Sequence, residues 1–231
     1  MIRGSAILDH LRAVFGPHGI LVRGVVDLGD DVDGPHLSDG RRARSVVLLG
    51  NVGGSLWEAF TRWRQEQADA GGADPLDTWS KVVIRPVAID LAATAWFPSD
   101  PPWQPFQRWA MQAEGLKASP LGILVHPVYG LWHGYRGALG FAEVISEPAG
   151  TSPASHPCDG CAAQPCLSNC PAGAISANGF DVGKCRTHLA TPAGQAGCMD
   201  GGCAARNACP IGAEYRYPRD QLRFHMTALK L

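Results

Sequence analysis

All eight cysteines of this 231-residue chain fall between Cys158 and Cys209, and the first 157 residues contain none. A chain of this length holds one large domain, or a medium one with a small appendage. The cysteine-free stretch carries the tryptophans and the long apolar runs, so the asymmetry predicts two domains. The first four cysteines, in "CDGCAAQPCLSNCP", are spaced C-x2-C-x4-C-x3-C-P. The last three, Cys198, Cys203 and Cys209, are spaced C-x4-C-x5-C-P, and Cys185 stands alone between the two runs in "DVGKCRTHLA". "CPAGA" at 170–174 returns as "CPIGA" at 209–213, so the region reads as a duplicated unit.

Three chemistries compete for these thiols. A disulfide framework needs an oxidising compartment. The start, "MIRGSAILDHLRAVFGPHGI", interrupts its apolar residues with Asp9, His10 and Arg12, so it shows neither a signal-peptide core nor a membrane span. A cytoplasmic protein is the expectation. Structural zinc usually takes two separated cysteine pairs and gives no reason for a proline after the last ligand. Iron–sulfur binding accounts for both features, because the bacterial two-cluster run is C-x2-C-x2-C-x3-C-P with its fourth cysteine reaching to the other cluster. Both loops here are longer than that pattern, and Cys185 supplies the ligand that the shortened second run lacks. The crossover rule assigns Cys158, Cys161, Cys166 and Cys209 to one 4Fe-4S cluster, and Cys170, Cys185, Cys198 and Cys203 to the other. His156 and His188 are not needed as ligands.

The remaining sequence predicts an α+β domain. A helix over 4–15, with Ala6, Ile7, Leu11 and Val14 on its apolar face, precedes the strand-like "ILVRGVVDL". After a loop over 29–43, "RSVVLLGNVGG" reads as a buried strand. It leads into the helix "SLWEAFTRWRQEQADA", with Ser55 as N-cap. Further helices are expected in "DPLDTWSKVVIRPVAIDLAA", interrupted near Pro86, and in "PWQPFQRWAMQAEG", with a short strand and stiff turn in "TAWFPSDPP" between them. The run "GILVHPVYGLWHGYRGALGFAEVI" predicts two strands paired across a wide aromatic connection. "SEPAGTSPASHP" is a linker by composition, which places a boundary near residue 150 and divides the chain into 1–150 and 151–231. Trp57, Trp63, Trp79 and Trp109 are expected in the core. Twenty Lys and Arg nearly balance 21 Asp and Glu without a run of like charge, so no nucleic-acid partner is expected.

Two segments carry a resemblance. "SVVLLGNVGGSLWEAF" is similar to the strand, Gly-Asn turn and Trp-bearing helix of the CblC-type cobalamin-processing proteins, and "VHPVYGLWHGYRGAL" to their His-Pro, Gly-x-Trp and Arg-Gly segment. The layout, such a domain followed by a two-cluster module with an isolated middle cysteine, resembles epoxyqueuosine reductase and the reductive dehalogenases. The resemblance implies a nitroreductase-like, CblC-like N-terminal domain that holds a corrinoid, and a ferredoxin-like C-terminal domain. It implies an enzyme that takes electrons from a ferredoxin, flavodoxin or reductase, passes them through the clusters, and reduces the cobalt of cobalamin with loss of its upper ligand. The chain ends at residue 231, shortly after Cys209, where epoxyqueuosine reductase has a helical-repeat extension, so a tRNA substrate is not expected.

A corrin site combines apolar and aromatic walls with a few polar groups, and "HPVYGLWHGYRG" offers that mixture. The candidates are His126, Tyr129, Trp132, His133, Tyr135 and Arg136, with Gly130 permitting close backbone approach, and Asn51, Gly53 and Gly54 at the other match. Plainer readings stand beside these. The aromatics can be core, Asn51 and its glycines a turn, His126 a satisfied strand-end histidine, and Arg136 an ion-pair partner. No paired carboxylates mark a general acid, so the catalytic residues stay unknown. A ferredoxin-type carrier without corrinoid, and an FMN-dependent or epoxyqueuosine-reductase-like enzyme, are the alternatives.

Overall fold

A computed structural model describes residues 4–29, 34–145, 156–176 and 179–229. The chain divides into two compact units. Unit 1 comprises Met1–Asn51, Ser55–Gly115 and Gly134–Ser152, and unit 2 comprises Val52–Gly54, Leu116–His133 and Pro153–Leu231. The boundary expected near residue 150 lies outside the described residues. Unit 2 also takes in two segments from well before it, among them the first half of the aromatic segment. Among the described residues no helix is long and apolar enough to cross a membrane.

The strands in chain order are β1 Leu21–Asp27, β2 Ser45–Val52, β3 Thr94–Trp96, β4 Lys117–Ala118, β5 Leu124–Val125, β6 His133–Phe141, β7 Ile175–Ser176 and β8 Gly179–Phe180. Unit 1 is built on a four-stranded antiparallel sheet in the order β1-β2-β6-β3. Central β2 is buried from Ser45 to Asn51. Its run Val46–Leu49 is wholly shielded from water, as the unbroken apolar sequence requires. Burying each of those four side chains contributes roughly 1.5–3 kcal/mol. The helices α1 Gly4–Phe15 and α4 Phe106–Glu114 pack on β1, α3 Pro75–Asp90 packs on β3, and α2 Trp57–Glu66 packs on α3. On α1 the buried stripe is Leu8, Leu11 and Phe15, displaced from the face read in the sequence, where Ala6 is exposed. Trp79 and Trp109 are buried, and Trp57 and Trp63 pair with Phe60 at ring distances of 5.5 and 6.4 Å.

Three local expectations are corrected. The helix α3 runs through Pro86 without interruption. Pro86 is on the exposed face, and Val82, whose carbonyl it leaves without a helical partner, is 52% exposed, so water can satisfy that oxygen. Ser55 does not cap α2, which starts at Trp57 after Leu56, because the Ser55 hydroxyl donates to the Gly19 carbonyl (2.7 Å). The two runs in 122–145 do not pair with each other. Leu124–Val125 pairs with Lys117–Ala118, and β6 inserts between β2 and β3. His126-Pro127 ends the first run after two paired residues, since proline has no N–H to extend the ladder. β6 is long and half buried enough to serve as an inner strand.

Unit 2 has little regular structure. The two-residue ladders β4–β5 and β7–β8 accompany the short helices α5 Pro165–Ser168, α6 Val182–Leu189, α7 Pro192–Gly194, α8 Ala204–Asn207 and α9 Arg219–Thr227. Asp181 caps α6 by accepting from the Lys184 N–H (2.9 Å), and Thr191 caps α7 through the Gly194 N–H (3.0 Å). Among the described residues, small cores form from Trp132 with Tyr217 and Leu222, and from Leu189 with Cys198 and Met226.

Gly19 sits in the left-handed region (φ 65°), and a Cβ built there would lie 1.8 Å from the Ser55 carbonyl oxygen, whereas Gly16 has open space. Gly19→Ala is expected to destabilise the fold by roughly 3 kcal/mol or more, and Gly16→Ala to stay within about 0.5 kcal/mol, as read by denaturant melts.

Candidate metal centres

Within unit 2 the cysteines gather in two sets of four. Cys158, Cys161, Cys166 and Cys209 line one cavity, walled by Pro157, Pro165 and Pro210 and by Val125, Leu131 and Ile211. Cys170, Cys185, Cys198 and Cys203 line a second, larger one with Ile175, Leu189 and Met226. Local structure sets each thiol. Cys166 is on α5, Cys185 on α6, Cys198 on the π-helical turn Gln195–Met199, and Cys203 at the residue before α8. The repeated Cys-Pro-x-Gly-Ala ends each arm in a tight turn. Gly173 (φ 57°) and Gly212 (φ 66°) adopt the left-handed conformation that glycine tolerates. In the first copy this turn returns the Ala174 N–H to the Cys170 sulfur at 3.3 Å.

The electrostatics follow the same grouping. Burial pushes the Cys158 thiol up, and Cys209, Cys166 and Cys161 push it further. Burial likewise raises Cys185, with added contributions from Cys203, Cys170 and Cys198. Burial raises Cys203 against the N–H donors of Arg206 and Ala205, with Cys198 and Cys170 adding to the rise. All eight cysteines are free thiols. Among the described residues no three His, Cys, Asp or Glu side chains are drawn together to hold one metal ion. Two four-thiol cavities with N–H groups directed at sulfur are a donor set suited to iron–sulfur clusters.

The candidates for the corrin site divide between the units. In unit 1, the Asn51 carbonyl accepts from Arg23 Nη1 (3.0 Å), and Arg23 forms a buried ion pair with Glu114 (2.7 Å). Tyr135 donates its hydroxyl to the same carboxylate (2.6 Å). Burial raises the Tyr135 phenol above its ordinary value, and the Glu114 charge raises it further. Arg136 faces Asp77 (3.5 Å), the ion-pair reading of that residue. In unit 2, His126 Nδ1 accepts the N–H groups of Val128 (3.0 Å) and Tyr129 (3.1 Å), closing its own turn, and its ring stacks on Tyr129 at 4.2 Å. His133 Nε2 donates to the Leu124 carbonyl (3.2 Å). Trp132 is fully buried under Arg206, whose guanidinium lies 4.4 Å from the ring centre. Gly53 donates to the Trp132 carbonyl (2.7 Å). A Cβ would collide with Ile211 at Gly130 and approach Pro218 at Gly54.

The sequence reading gave neither Arg23 nor Glu114 a role. Their signal is a charged residue followed by glycine inside a β-run. The β1–β2 register pairs Val22 with Leu49 and Gly24 with Leu48, so Arg23 is the extra residue of a bulge that redirects its side chain inward. The chain matches no protein-family model, and no curated protein matches it significantly.

Removing one partner of a buried pair leaves the other charge without compensation. Glu114→Gln is therefore expected to destabilise unit 1 by about 3 kcal/mol, and Tyr135→Phe by about 1.5 kcal/mol. Because the folded phenol is raised, its stabilising contribution is full below the ordinary tyrosine value of 10.0 and is lost as the pH climbs beyond it. Denaturant melts between pH 8 and 11 should show a shallower alkaline decline for Tyr135→Phe than for the wild type.

Proposed function

We propose that this chain is an iron–sulfur oxidoreductase whose cysteine-rich unit holds two 4Fe-4S clusters and passes electrons to a corrinoid substrate, reducing its cobalt and releasing its upper ligand. The observation that carries the reading is the pairing of ligands across the sequence. Cys209 joins the three cysteines of the first run, and Cys170 joins Cys185, Cys198 and Cys203, so each cavity borrows one thiol from the other arm. Clusters so bound accept and release single electrons. The Cys158 and Cys185 thiols, pushed up by burial, give up their protons on loading. A ferredoxin, a flavodoxin or a reductase would supply the electrons.

The corrinoid rests on the likeness of 45–60 and 125–139 to CblC-type proteins, together with a nitroreductase-like reading of unit 1. A second reading, an electron carrier without corrinoid, is favoured by one finding. The Tyr135 hydroxyl, the Asn51 carbonyl and the Trp132 ring are already engaged in the interiors of their own units.

Anaerobic reconstitution followed by titration with cob(II)alamin separates the two. The proposed function predicts about eight irons per chain, one-to-one corrinoid binding, and corrinoid reduction when dithionite is added. Intact cluster absorption without corrinoid binding would leave the carrier, or a flavoprotein that added FMN reveals.

A further inference from the structure

The two cavities differ in charge. Beyond its cysteines, the wall of the first is apolar except for Ser119, and Asp159, next to Cys158 in the chain, lies 3.8 Å from His156 Nδ1. The wall of the second includes Arg206 and His188. Arg206 is held from three sides: its Nη2 donates to the Leu131 carbonyl, and its guanidinium plane lies over Trp132 and, at 4.8 Å, over Tyr217. Its Nε is buried and has no acceptor among the described residues. This quartet also receives a backbone hydrogen bond to sulfur, from the Ala174 N–H to Cys170 (3.3 Å). Asp200, two residues past Cys198, is matched by Arg219 and Arg223 and contributes little net charge.

Reducing a cluster adds a negative charge, which a fixed cation and N–H donors to sulfur stabilise. Resting on the two-cluster reading above, we propose that Arg206 tunes the Cys170–Cys185–Cys198–Cys203 centre to the higher reduction potential of the pair, with its buried Nε–H as the donor. The first electron from a low-potential donor then settles on this centre. The Cys158–Cys161–Cys166–Cys209 centre becomes the stronger reductant and fills second. Arg206 is thus a positioning residue for charge, acting on the order of electron uptake and not on a bond of the substrate.

The test is an EPR-monitored potentiometric titration of the reconstituted full-length chain, with dithionite as reductant, for the wild type, Arg206→Met, Arg206→Lys and Cys158→Ser. The wild type should show two waves. Arg206→Met should move only the higher one to more negative potential, and Arg206→Lys, which keeps the charge without the Nε–H, should move it less. Cys158→Ser, retaining the second quartet alone, should keep a single wave at the higher wild-type potential. Two unresolved wild-type waves, a shift of the lower wave, or no shift in Arg206→Met overturns the assignment. If Arg206→Met takes up no iron, the Cys158→Ser wave decides, and its coincidence with the lower wild-type wave has the same force. A wild type that loads fewer than two centres removes the underlying reading, whereas two centres in the opposite order remove only the role of Arg206.

Discussion

Two cavities in unit 2 are each lined by four thiols, and thiols gathered in one space disfavour one another's ionisation. Burial and the neighbouring sulfurs push the Cys158 and Cys185 thiols up, so their protonated forms are favoured until something positive occupies the space. The surrounding chain has little other reason for its shape. Its ladders are two residues long, most of its helices are a single turn, and its apolar cores are small. A segment with so little packing gains stability from whatever its cysteines bind, as small metal domains do.

Unit 1 follows a different logic. Its sheet is anchored by a wholly buried central strand, and its polar interior is concentrated in one network where a bulge at Arg23 aims a guanidinium at Glu114 and at the end of β2. Tyr135 completes that network from β6. The buried charges are matched within the unit, so the network orders the ends of β1, β2, β6 and α4.

What could be read in the sequence was what depends on neighbours along the chain. The cysteine spacings, the Cys-Pro-x-Gly-Ala turns, the strand through Val46–Leu49 and the helix over 4–15 are local patterns, and local geometry carries them. Contacts between distant residues were not legible. Arg23 and Glu114 are 91 positions apart and meet only because a register slip turns one of them inward. The pairing of β6 with β3, in place of the nearby Leu124–Val125 run, is decided by competition for a place in the sheet. The "HPVYGLWHGYRG" segment reads as one polar-aromatic patch, yet the two units divide it between His133 and Gly134. Each part then makes hydrogen bonds of its own.

The crossing of Cys170 and Cys209 between the two quartets is the central claim, and iron counting by anaerobic native mass spectrometry on paired serine variants tests it most directly. If Cys209 serves the first quartet, Cys161→Ser combined with Cys209→Ser loses no more iron than either change alone. Cys203→Ser combined with Cys209→Ser then loses both centres. The opposite outcome, with Cys209 losing iron in concert with Cys203 and additively with Cys161, would place Cys209 with its sequence neighbours and contradict the account.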